Sequence, residues 1–534
     1  MKILSVIPAC EGSKSFPNKN IRMINGKPMI YYIINNAIKS KYITDVIVTT
    51  NSNEIITIAK QMGVRVKKRC EDLCNAEVSL DAVVYDLSSE INFLEYDYII
   101  TMQSIAPTLK VTTLDDAIRR CIEQELDTLI SVTNRANFYW KRTKDGVVPL
   151  NEKRMNKHQL SPFYMEAGAF LITRSQYICQ ESRIGKKCDI YELESDEALD
   201  VFTFGDLKQA ENILSRKAIA FFVNGNSHRG LGHIYRVLQL ADELFTKPDI
   251  YYDINQTKPE FFGMVNYNLY PINGLEELIE GLKKHSCEIL INDILSTTKE
   301  YMQALKKNLP KMKIVNFEDE GEGAYLADIV FNALYEGSFA SNVRAGSDYY
   351  IAPKQFLMCE PIIIKEQVQD VLITFGGADP KSYTNELLNI AKKSKYNKIH
   401  FHFILGKAKK DFHELLQEKK DNITMMYDVT NMPEIMSDCD IAITSRGRTG
   451  FELAMLGIPT ISVAQNEREQ RHNFMSEENG FDYLGINPSE EKLEEALDRL
   501  VNSGTQYRKN IQKKMLSKNL HNGRKHIMNL IDNL

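Results

Sequence analysis

The stretch KILSVIPACEGSKSFPNKN, residues 2–20, decides the predicted fold of the first part of the chain. Residues 2–9 are a candidate strand, and the small-residue loop from Cys10 to Asn20 follows directly. A loop of this kind after a first strand brings backbone N–H groups near phosphate, and lysines neutralise phosphate charge. The spacing GxxxxGK(S/T) of a Walker loop is missing. The stretch therefore predicts an α/β domain, and its loop is either a phosphate site or a plain surface turn.

The same alternation extends through the whole chain. Short β-like runs alternate with amphipathic helical runs, which predicts an α/β fold with largely parallel sheets. The pattern restarts near residue 217 and near residue 370, so we expect three α/β units, 1–216, 217–362 and 363–534. The strand candidates are 2–9, 45–50, 98–103, 128–132, 169–173, 218–223, 288–292, 313–316, 370–375, 398–405 and 441–444, and the helix candidates include 28–40, 54–62, 113–124 and 234–244.

Length and composition bound the class of protein. At roughly 150 residues per domain, a chain of 534 residues predicts three or four domains. Hydrophobic residues make up 43% and charged residues 26%, which excludes a mainly disordered chain. The net charge of -5 gives no global basic field and argues against a nucleic-acid partner. No stretch approaches the ~18 apolar residues of a spanning helix, so we expect a cytoplasmic protein without a membrane span.

The cysteines and the carboxyl-terminal tail both suggest structural roles. The nine cysteines are scattered without the spacing of a zinc site, and we interpret them as reduced structural thiols. Residues 507–534 are rich in Lys and Arg, and we interpret them as a solvated closing helix. The same basic residues would also suit an anionic ligand.

A set of motifs runs in one order through residues 1–215. It consists of Pro8, Ala9, Gly12, Ser13, Lys14, Pro17, Lys19 and Asn20, then Gly26-Lys27-Pro28, Gln103, Glu166-Ala167-Gly168-Ala169-Phe170 and Ala198-Leu199-Asp200-Val201. This set resembles the signature of the acylneuraminate (CMP-sialic acid synthetase-like) cytidylyltransferases. The resemblance implies a Rossmann-like nucleotidyltransferase fold for this part of the chain.

The resemblance also implies a reaction and its ligands. A hydroxyl of a nonulosonic acid would attack the α-phosphate of CTP, and pyrophosphate would leave. Mg²⁺ held by Asp200 would neutralise the phosphates. Lys14 and Lys19 would face the triphosphate, and Gln103 would face the base. The implied CTP and phosphate ligands are Gly12, Ser13, Lys14, Lys19, Asn20 and Gln103. Because related cytidylyltransferases often dimerise, a homodimer is implied as well.

Several positions depart from this family pattern. Cys10 stands where the family has an Arg after Pro-Ala, which removes one phosphate charge partner. Phe202 stands where a second metal-binding Asp is usual, and Ala167 replaces an Asn. Two interpretations therefore stay open: an active cytidylyltransferase, and a degenerate domain that only binds nucleotide or serves a structural role.

A second glycine-rich turn follows the candidate strand 218–223. It is the segment Gly230-Leu231-Gly232-His233-Ile234-Tyr235-Arg236, whose glycines allow tight backbone geometry where a strand turns into a helix. His233 is thereby predicted near a helix start. Histidine acts as an acid or a base near neutral pH, although a single histidine at a helix start also serves for capping or packing.

Later motifs place this turn in a larger pattern. They are 327–332 (ADIVFN), 375–380 (FGGADP), 446–452 (RGRTGFE) and 457–459 (GIP). Together, residues 217–530 resemble the UDP-sugar hydrolase of pseudaminic acid synthesis, which has a GT-B-type fold of two Rossmann-like lobes. That enzyme is similar to the glycosyltransferase of peptidoglycan lipid-intermediate synthesis, so both reactions stay open.

The resemblance implies that His233 activates water at the anomeric carbon of a UDP-sugar. In a glycosyltransferase the same histidine would deprotonate an acceptor hydroxyl. Gly376 and Gly377 would approach phosphate at a helix N-terminus, and Glu452 would bond the ribose hydroxyls. The implied UDP-sugar ligands are Gly232, Gly376, Gly377, Arg446, Thr449, Glu452, Gln465 and Asn466, of which Gln465 and Asn466 would face the sugar or the adjoining loop.

The second half also departs from its pattern. Phe222 and Asn224 stand where the hydrolase usually carries an Arg and an Asp, and Arg446 and Arg448 replace a Gly-Gly-Ser/Thr stretch. The two arginines suit a strongly anionic ligand or a salt-bridged surface pair.

The two halves together resemble enzymes of one synthesis, in which a sugar is freed from UDP and later activated with CMP. The leading hypothesis is a bifunctional enzyme of nonulosonic (sialic-acid-like) acid biosynthesis, with CMP activation by the first domain and UDP-sugar hydrolysis by the second module. Its partners would be CTP, a nonulosonic acid and a UDP-sugar. One alternative is a surface-polysaccharide glycosyltransferase with a degenerate cytidylyltransferase-like domain. A second alternative is a non-catalytic nucleotide-binding scaffold.

Overall fold

The computed structural model describes residues 1–11, 16–75, 77–151, 153–226, 231–335, 340–418 and 420–534. The chain divides into two compact units, Met1–Arg216 (unit 1) and Lys217–Leu534 (unit 2). Strands and helices alternate in both units, which confirms the predicted α/β fold with largely parallel sheets. All nine cysteines are free thiols. Within the described ranges, no helix has the length and apolar character needed to cross a bilayer.

Unit 1 is built around a mixed sheet. Its strands are β1 (Ile3–Pro8), β2 (Met23–Ile24), β3 (Lys27–Pro28), β4 (Asp45–Thr50), β5 (Arg65–Lys68), β6 (Tyr98–Thr101), β7 (Thr128–Asn134), β8 (Trp140–Thr143), β9 (Gly146–Pro149), β10 (Tyr164–Arg174) and β11 (Cys188–Glu192). Its helices are α1 (Met29–Lys39), α2 (Asn53–Gln61), α3 (Leu80–Tyr85), α4 (Val111–Glu123) and α5 (Phe204–Ser215). The main sheet has the order β11-β7-β10-β6-β1-β4-β5, and β10 runs antiparallel to its two neighbours.

Unit 2 contains two parallel sheets, which we call the first lobe and the second lobe. The first lobe has strands β12 (Ile219–Val223), β13 (Asp249–Asp253), β14 (Asn268–Ile272), β15 (Ile289–Asp293), β16 (Lys313–Phe317), β17 (Ile329–Asn332) and β18 (Val343–Ala345). Its helices are α6 (Gly232–Ala241), α7 (Leu275–Lys284) and α8 (Lys299–Asn308). The strand order is β14-β13-β12-β15-β16-β17-β18.

The second lobe follows in sequence. Its strands are β19 (Asp370–Thr374), β20 (His400–Leu405), β21 (Ile423–Tyr427), β22 (Ile441–Ser445), β23 (Thr460–Ala464) and β24 (Phe481–Ile486). The helices from this point are α9 (Tyr383–Ala391), α10 (Phe412–Leu415), α11 (Met432–Ser437), α12 (Thr449–Leu456), α13 (Glu467–Arg471), α14 (Glu490–Val501), α15 (Thr505–Leu516) and α16 (Gly523–Asp532). The strand order is β21-β20-β19-β22-β23-β24.

The end of the chain differs from the expected boundary of 363–534. Helix α16 leaves the second lobe, and its Ile527 and Ile531 are buried in the hydrophobic core formed by β12, β13, β15 and β16 of the first lobe. Conversely, Tyr350 and Phe356, which precede residue 362, are buried against the second lobe. The chain thus crosses between the lobes twice. Tyr350 and Phe356 pack in the core of the lobe that follows them, and α16 packs in the core of the first lobe although it follows the second.

The basic tail is also not one solvated helix, contrary to our interpretation of residues 507–534. It forms α15 and α16, and Arg508 and Arg524 are buried. Arg508 Nη2 donates to the Glu366 carbonyl oxygen at 2.8 Å, and Arg524 Nη2 donates to the Ala352 carbonyl oxygen at 2.6 Å. These arginines satisfy backbone oxygens, a role that a count of basic residues does not reveal.

The strand orders explain where ligand sites are expected. In an open α/β sheet, the crevice lies at the carboxyl ends of strands where the order reverses. In the three main sheets the reversal occurs at β1, β12 and β19, since each lies between strands that follow it on either side. The loops after these strands carry the Cys10–Asn20 segment, the turn before His233, and Gly376-Gly377.

Candidate functional sites

The loop after β1 brings distant parts of unit 1 together. Gly12, Ser13 and Lys14 lie outside the described residues. Asn20 is buried, and its Nδ2 donates to the Cys10 carbonyl oxygen at 2.7 Å. Its Oδ1 accepts from Ser104 Oγ at 2.5 Å. Asn20 therefore ties the end of the loop both to its beginning and to the segment after β6.

Gln103 and Asp200 meet at the same backbone position. The backbone amide of Gln103 donates to the Gly168 carbonyl oxygen at 3.2 Å, and the backbone amide of Gly168 lies 3.0 Å from both carboxylate oxygens of Asp200. A Cβ on Gly168 would come within 3.0 Å of Asp200 Oδ1 and 2.8 Å of Ile105 Cδ1. Glycine at this position therefore lets the carboxylate reach the backbone.

Lys19 and Asp200 form the charged part of this site. Burial raises the pKa of Asp200, against the opposing effects of the Gly168 amide, Arg135 and Lys19. Burial lowers the pKa of Lys19, against the attraction of Cys10 and Asp200. Desolvation is the largest cause for both groups, so both would gain from a ligand that brings opposite charge.

Phe202 takes the place of a second carboxylate. Its half-exposed ring lies 5.2 Å from Lys19 Nζ, measured to the ring centroid. The Asp206 carboxylate accepts from the Phe202 and Thr203 amides at 3.0 and 2.8 Å and so caps α5. Within the described part of the chain, no three His, Cys, Asp or Glu side chains group as metal ligands.

The sequence patterns missed a cation at this edge of the sheet. Arg69 directly follows β5 and is buried. Its Nη2 donates to the Thr49 carbonyl oxygen at 2.8 Å. Burial lowers the pKa of Arg69, and the nearby Cys10 opposes that shift. A charged residue directly after a parallel strand was the available sequence clue, since such residues share the carboxyl edge of a sheet.

The first turn of α6 places His233 in a buried charged cluster. His233 Nδ1 lies 2.6 Å from Asp293 Oδ1, at the end of β15. Arg236 Nε and Nη2 donate to the two Asp293 oxygens at 2.6 and 2.5 Å, and Nη1 donates to Glu318. Arg236 and His233 keep the pKa of Asp293 below its usual value despite burial. An ionised Asp293 accepts a hydrogen bond from the Nδ1–H tautomer of His233, which leaves the ring lone pair on Nε2.

Arg448 reaches this cluster from the second lobe. It immediately precedes α12. Its Nη1 donates to the Gly232 carbonyl oxygen, and its Nη2 lies 3.2 Å from Glu318 Oε1. Arg468 Nη2 donates to the Glu318 carbonyl oxygen at 3.2 Å. Both lobes of unit 2 therefore contribute contacts around the start of α6.

The glycine loop after β19 is shaped for close approach. Gly376 has a φ of 69°, a conformation that favours glycine. A Cβ built on Gly376 or Gly377 would meet no atom of the described residues within 4 Å. On its inner side the loop lies against Gly406, where a Cβ would be only 2.1 Å from the Gly376 carbonyl oxygen. The loop is therefore packed against Gly406 on one side, and the side toward which a Cβ would point has space for a ligand.

Gln465 and Asn466, which we expected to face the sugar or the adjoining loop, form hydrogen bonds within the protein. Gln465 Nε2 donates to Asp379 Oδ1 at 2.9 Å, and its Oε1 accepts from the Lys381 amide at 3.2 Å. Asn466 Oδ1 accepts from the Glu469 amide at 2.9 Å and caps α13. These amides hold the loops beside β19 and β23.

Arg446 likewise serves the backbone instead of forming a surface salt bridge. Its Nη1 and Nη2 donate to the carbonyl oxygens of Gln470 and Met475 at 3.0 and 3.1 Å, and its guanidinium lies 3.8 Å from the Tyr483 ring centroid. Burial lowers its pKa. Thr449 and Glu452 lie in the first turn of α12, and burial raises the pKa of Glu452 to about 7.

Comparison with known protein families covers both units. Residues 4–225 match the family model described as Cytidylyltransferase, and residues 371–530 match the model described as Glycosyltransferase family 28 C-terminal domain. The chain therefore carries a cytidylyltransferase domain followed by a domain of the glycosyltransferase 28 type. The two matches agree with the resemblances found in the motifs.

One relative spans both domains. The pseudaminic acid cytidylyltransferase and UDP-2,4-diacetamido-2,4,6-trideoxy-beta-L-altropyranose hydrolase of Helicobacter pylori is 21% identical over 504 residues, which are 89% of this chain and 91% of the relative. The chain is thus a homologue of a bifunctional enzyme along most of its length.

Two other relatives match in part. An uncharacterized protein of Methanocaldococcus jannaschii is 27% identical over 47% of this chain, and N-acylneuraminate cytidylyltransferase A of Danio rerio is 29% identical over 40% of it. The chain spans about half the length of these relatives, 56% and 51%.

The raised pKa of Glu452 predicts a pH-dependent stability. Because its pKa rises from 4.5 to about 7 on folding, the folded chain takes up a proton, and the stabilisation is lost as the pH rises through about 7. We expect Glu452→Gln to lack this loss. The urea midpoint of the variant minus that of the wild type should therefore increase between about pH 5 and about pH 8. The exposed Glu467→Gln is the control, and a constant difference for Glu452→Gln would contradict the prediction.

Proposed function

We propose that the chain is a bifunctional enzyme of nonulosonic acid biosynthesis. Unit 1 transfers CMP from CTP to a sugar acid, and unit 2 hydrolyses a UDP-sugar. The main support is that each of two candidate sites lies at the strand-order reversal of its sheet, and that a relative named for both activities matches 89% of the chain. Cytidylyl transfer is assigned to the Lys19–Asp200 site and hydrolysis to His233.

The chemistry of unit 2 follows from the orientation of His233. With Nδ1–H donated to Asp293 at 2.6 Å, Nε2 takes a proton from water. The water oxygen then forms a bond to the anomeric carbon, and the bond from that carbon to the UDP oxygen breaks with its electron pair. The proposed products are free sugar and UDP. Gly376 and Gly377 bind the diphosphate with their open backbone face, and Glu452 binds the ribose.

The chemistry of unit 1 needs charge neutralisation around a triphosphate. Lys19 meets one phosphate charge, together with Lys14, and Gln103 binds the base. Asp200 is one carboxylate with lone pairs beyond its bonds to Gly168, which suits Mg²⁺ bound by one carboxylate, phosphates and water. When bound, Mg²⁺ neutralises the phosphate oxygens around the reacting phosphorus. The sugar hydroxyl oxygen forms the new bond to the α-phosphorus and releases its proton to solvent, and the bond from that phosphorus to the bridging oxygen breaks so that pyrophosphate leaves with the electron pair.

Cytidylyl transfer gives the first functional prediction. Purified protein with CTP, Mg²⁺ and a panel of nonulosonic acids should release pyrophosphate, and Asp200→Asn should reduce the rate about 10²-fold because the carboxylate proposed to hold Mg²⁺ at the phosphates is lost. The exposed Asp72→Asn is the matched control in the same unit and should retain the rate. Absence of pyrophosphate with every sugar acid would refute the assignment of unit 1.

UDP-sugar hydrolysis gives the second functional prediction. His233→Ala should slow release of UDP from a UDP-sugar by about 10²- to 10⁴-fold, the usual contribution of a general base. His285 is the matched control, since its Nδ1 pairs with Asp249 at 2.7 Å but at the opposite, amino end of the strands. In ¹⁸O-labelled water, the label should enter the sugar and not UDP. Full activity of His233→Ala would rule out this role.

The product of the same assay distinguishes hydrolysis from the two alternative functions. The match to the family 28 glycosyltransferase domain favours sugar transfer as the second candidate function of unit 2. That function would give a glycosylated acceptor in place of free sugar. Binding of both CTP and UDP without any turnover would instead support the non-catalytic scaffold.

We further propose a homodimer formed through the β8–β9 hairpin. Every residue of both strands is exposed, and an apolar group on and beside the hairpin faces solvent in the single chain. It consists of Trp140 and Val147 on one face of the hairpin, Val148 on the other face, and Leu150 and Phe163 beside the strands. Exposed apolar patches of this kind mark protein interfaces, and a second copy fits the resemblance to dimeric cytidylyltransferases.

The only tryptophan of the chain reports on this interface. Trp140 is 54% exposed, so its emission should shift to the blue as the concentration rises and the dimer covers it. Val147→Lys, on the same face of the hairpin as Trp140, should abolish the shift and halve the mass measured by light scattering. Phe245→Lys, at an exposed apolar residue of unit 2, should change neither. A wild-type mass of one chain would disprove the dimer.

A further inference from the structure

We propose that Arg448 is a positioning residue for His233 and acts across the two lobes of unit 2. It does so through the Gly232 carbonyl oxygen and the Glu318 carboxylate. This inference rests on the hydrolytic role proposed for His233. It assigns a function to an arginine that the motif comparison identified only as a departure from the hydrolase pattern.

The first contact fixes the backbone next to the catalytic histidine. Arg448 Nη1 donates to the carbonyl oxygen of Gly232, the residue that begins α6 and precedes His233. A Cβ on Gly232 would lie 3.0 Å from Arg448 Nη1, so glycine leaves the guanidinium room to approach. The first-turn backbone of α6 is thereby fixed by a donor from the other lobe.

The second contact completes a charge balance. Asp293 and Glu318 are both buried, and Arg236 bonds to both. One guanidinium cannot neutralise two carboxylates, and Arg448 supplies the second positive charge at 3.2 Å from Glu318 Oε1. Without Arg448, Glu318 would attract Arg236 more strongly, and Arg236 would shift from Asp293, the residue that orients His233.

The backbone conformation of Glu318 is unusual and is held by its contacts with surrounding arginines, including Arg448. Glu318 has a φ of 52°, which is uncommon for a residue with a side chain. Such strain persists where the surroundings hold it. Here Arg236 and Arg448 hold the side chain, and Arg468 Nη2 holds the carbonyl oxygen at 3.2 Å.

The competing role for Arg448 is direct binding of phosphate. Its position before α12 would suit that role, but both Nη atoms are already bonded to the first lobe. A positioning residue affects turnover while nucleotide binding persists, whereas a phosphate ligand affects nucleotide binding first. The two roles therefore separate experimentally.

The chain offers a matched control for the loss of a cross-lobe arginine. Arg471 on α13 also reaches the first lobe, where its Nη2 lies 3.0 Å from Glu320 Oε2. Neither residue contacts Gly232 or His233 in the hydrogen bonds and ion pairs of the described residues. Arg471→Met thus removes a comparable arginine–glutamate pair without touching the proposed link.

The experiment compares Arg448→Met, Arg448→Lys and Arg471→Met in the full chain. Amide hydrogen exchange of residues 232–241 and the Kd of UDP are measured without turnover, and kcat and KM are measured with a UDP-sugar. We expect Arg448→Met to speed exchange in the first turn of α6 and to lower kcat about 10²-fold, with Kd and KM within about 3-fold. Arg448→Lys should recover part of kcat, and Arg471→Met should match the wild type.

Each result has a defined meaning. A rise in the Kd of UDP as large as the loss of turnover would make Arg448 a phosphate ligand and overturn the proposal. Unchanged exchange in Arg448→Met would overturn it as well. If the wild type does not hydrolyse any UDP-sugar, the proposed function fails, while exchange and UDP binding still decide whether Arg448 fixes the start of α6.

Discussion

The buried guanidinium of Arg236 is the contact on which the site of unit 2 depends. It lies between two buried carboxylates, Asp293 at the end of β15 and Glu318 after β16. A buried carboxylate without a partner is costly, and removing one partner of such a pair typically costs about 3–5 kcal/mol. The arginine therefore joins two neighbouring strands of the first lobe and keeps Asp293 charged. A charged Asp293 in turn fixes which nitrogen of His233 is free for chemistry.

In unit 1, too, a partly buried carboxylate needs partners that offset its loss of solvation, but fewer charged groups surround it. Asp200 is supported by the Gly168 amide and by Lys19, and burial dominates the pKa of both charged groups. The nearby groups do not fully offset the desolvation of these two charges, so a triphosphate with its metal ion would stabilise them. Phe202 reduces the number of carboxylates offered to that metal, and Arg69 adds a buried cation near Cys10. These differences give unit 1 its own charge distribution within a cytidylyltransferase domain.

The sequence predicted the frame of both units well. The strand expected at 45–50 is Asp45–Thr50, and the turn before His233 does connect a buried strand to a helix. Such elements are visible because hydrophobic periodicity and glycine turns are local. The interpretation of the tail as one solvated helix was wrong, because Arg508 binds a backbone oxygen of the protein itself. Gln465 contacts the adjoining loop and Asn466 caps a helix, and their residue types did not specify these partners. Residue type alone does not tell a ligand contact from a hydrogen bond inside a loop.

By itself, the sequence determined the α/β class and the order of the two domain types, and it predicted which loops carry chemistry, because these features depend on local patterns and short motifs. Only the tertiary structure decided which charges meet. Asp293 follows His233 by sixty positions and Glu318 lies further on, yet neighbouring strands bring both to one arginine. Arg448 joins them from the other lobe. The exchange of Tyr350 and Ile527 between the lobe cores was equally hidden, since an apolar residue does not specify which of two sheets will bury it.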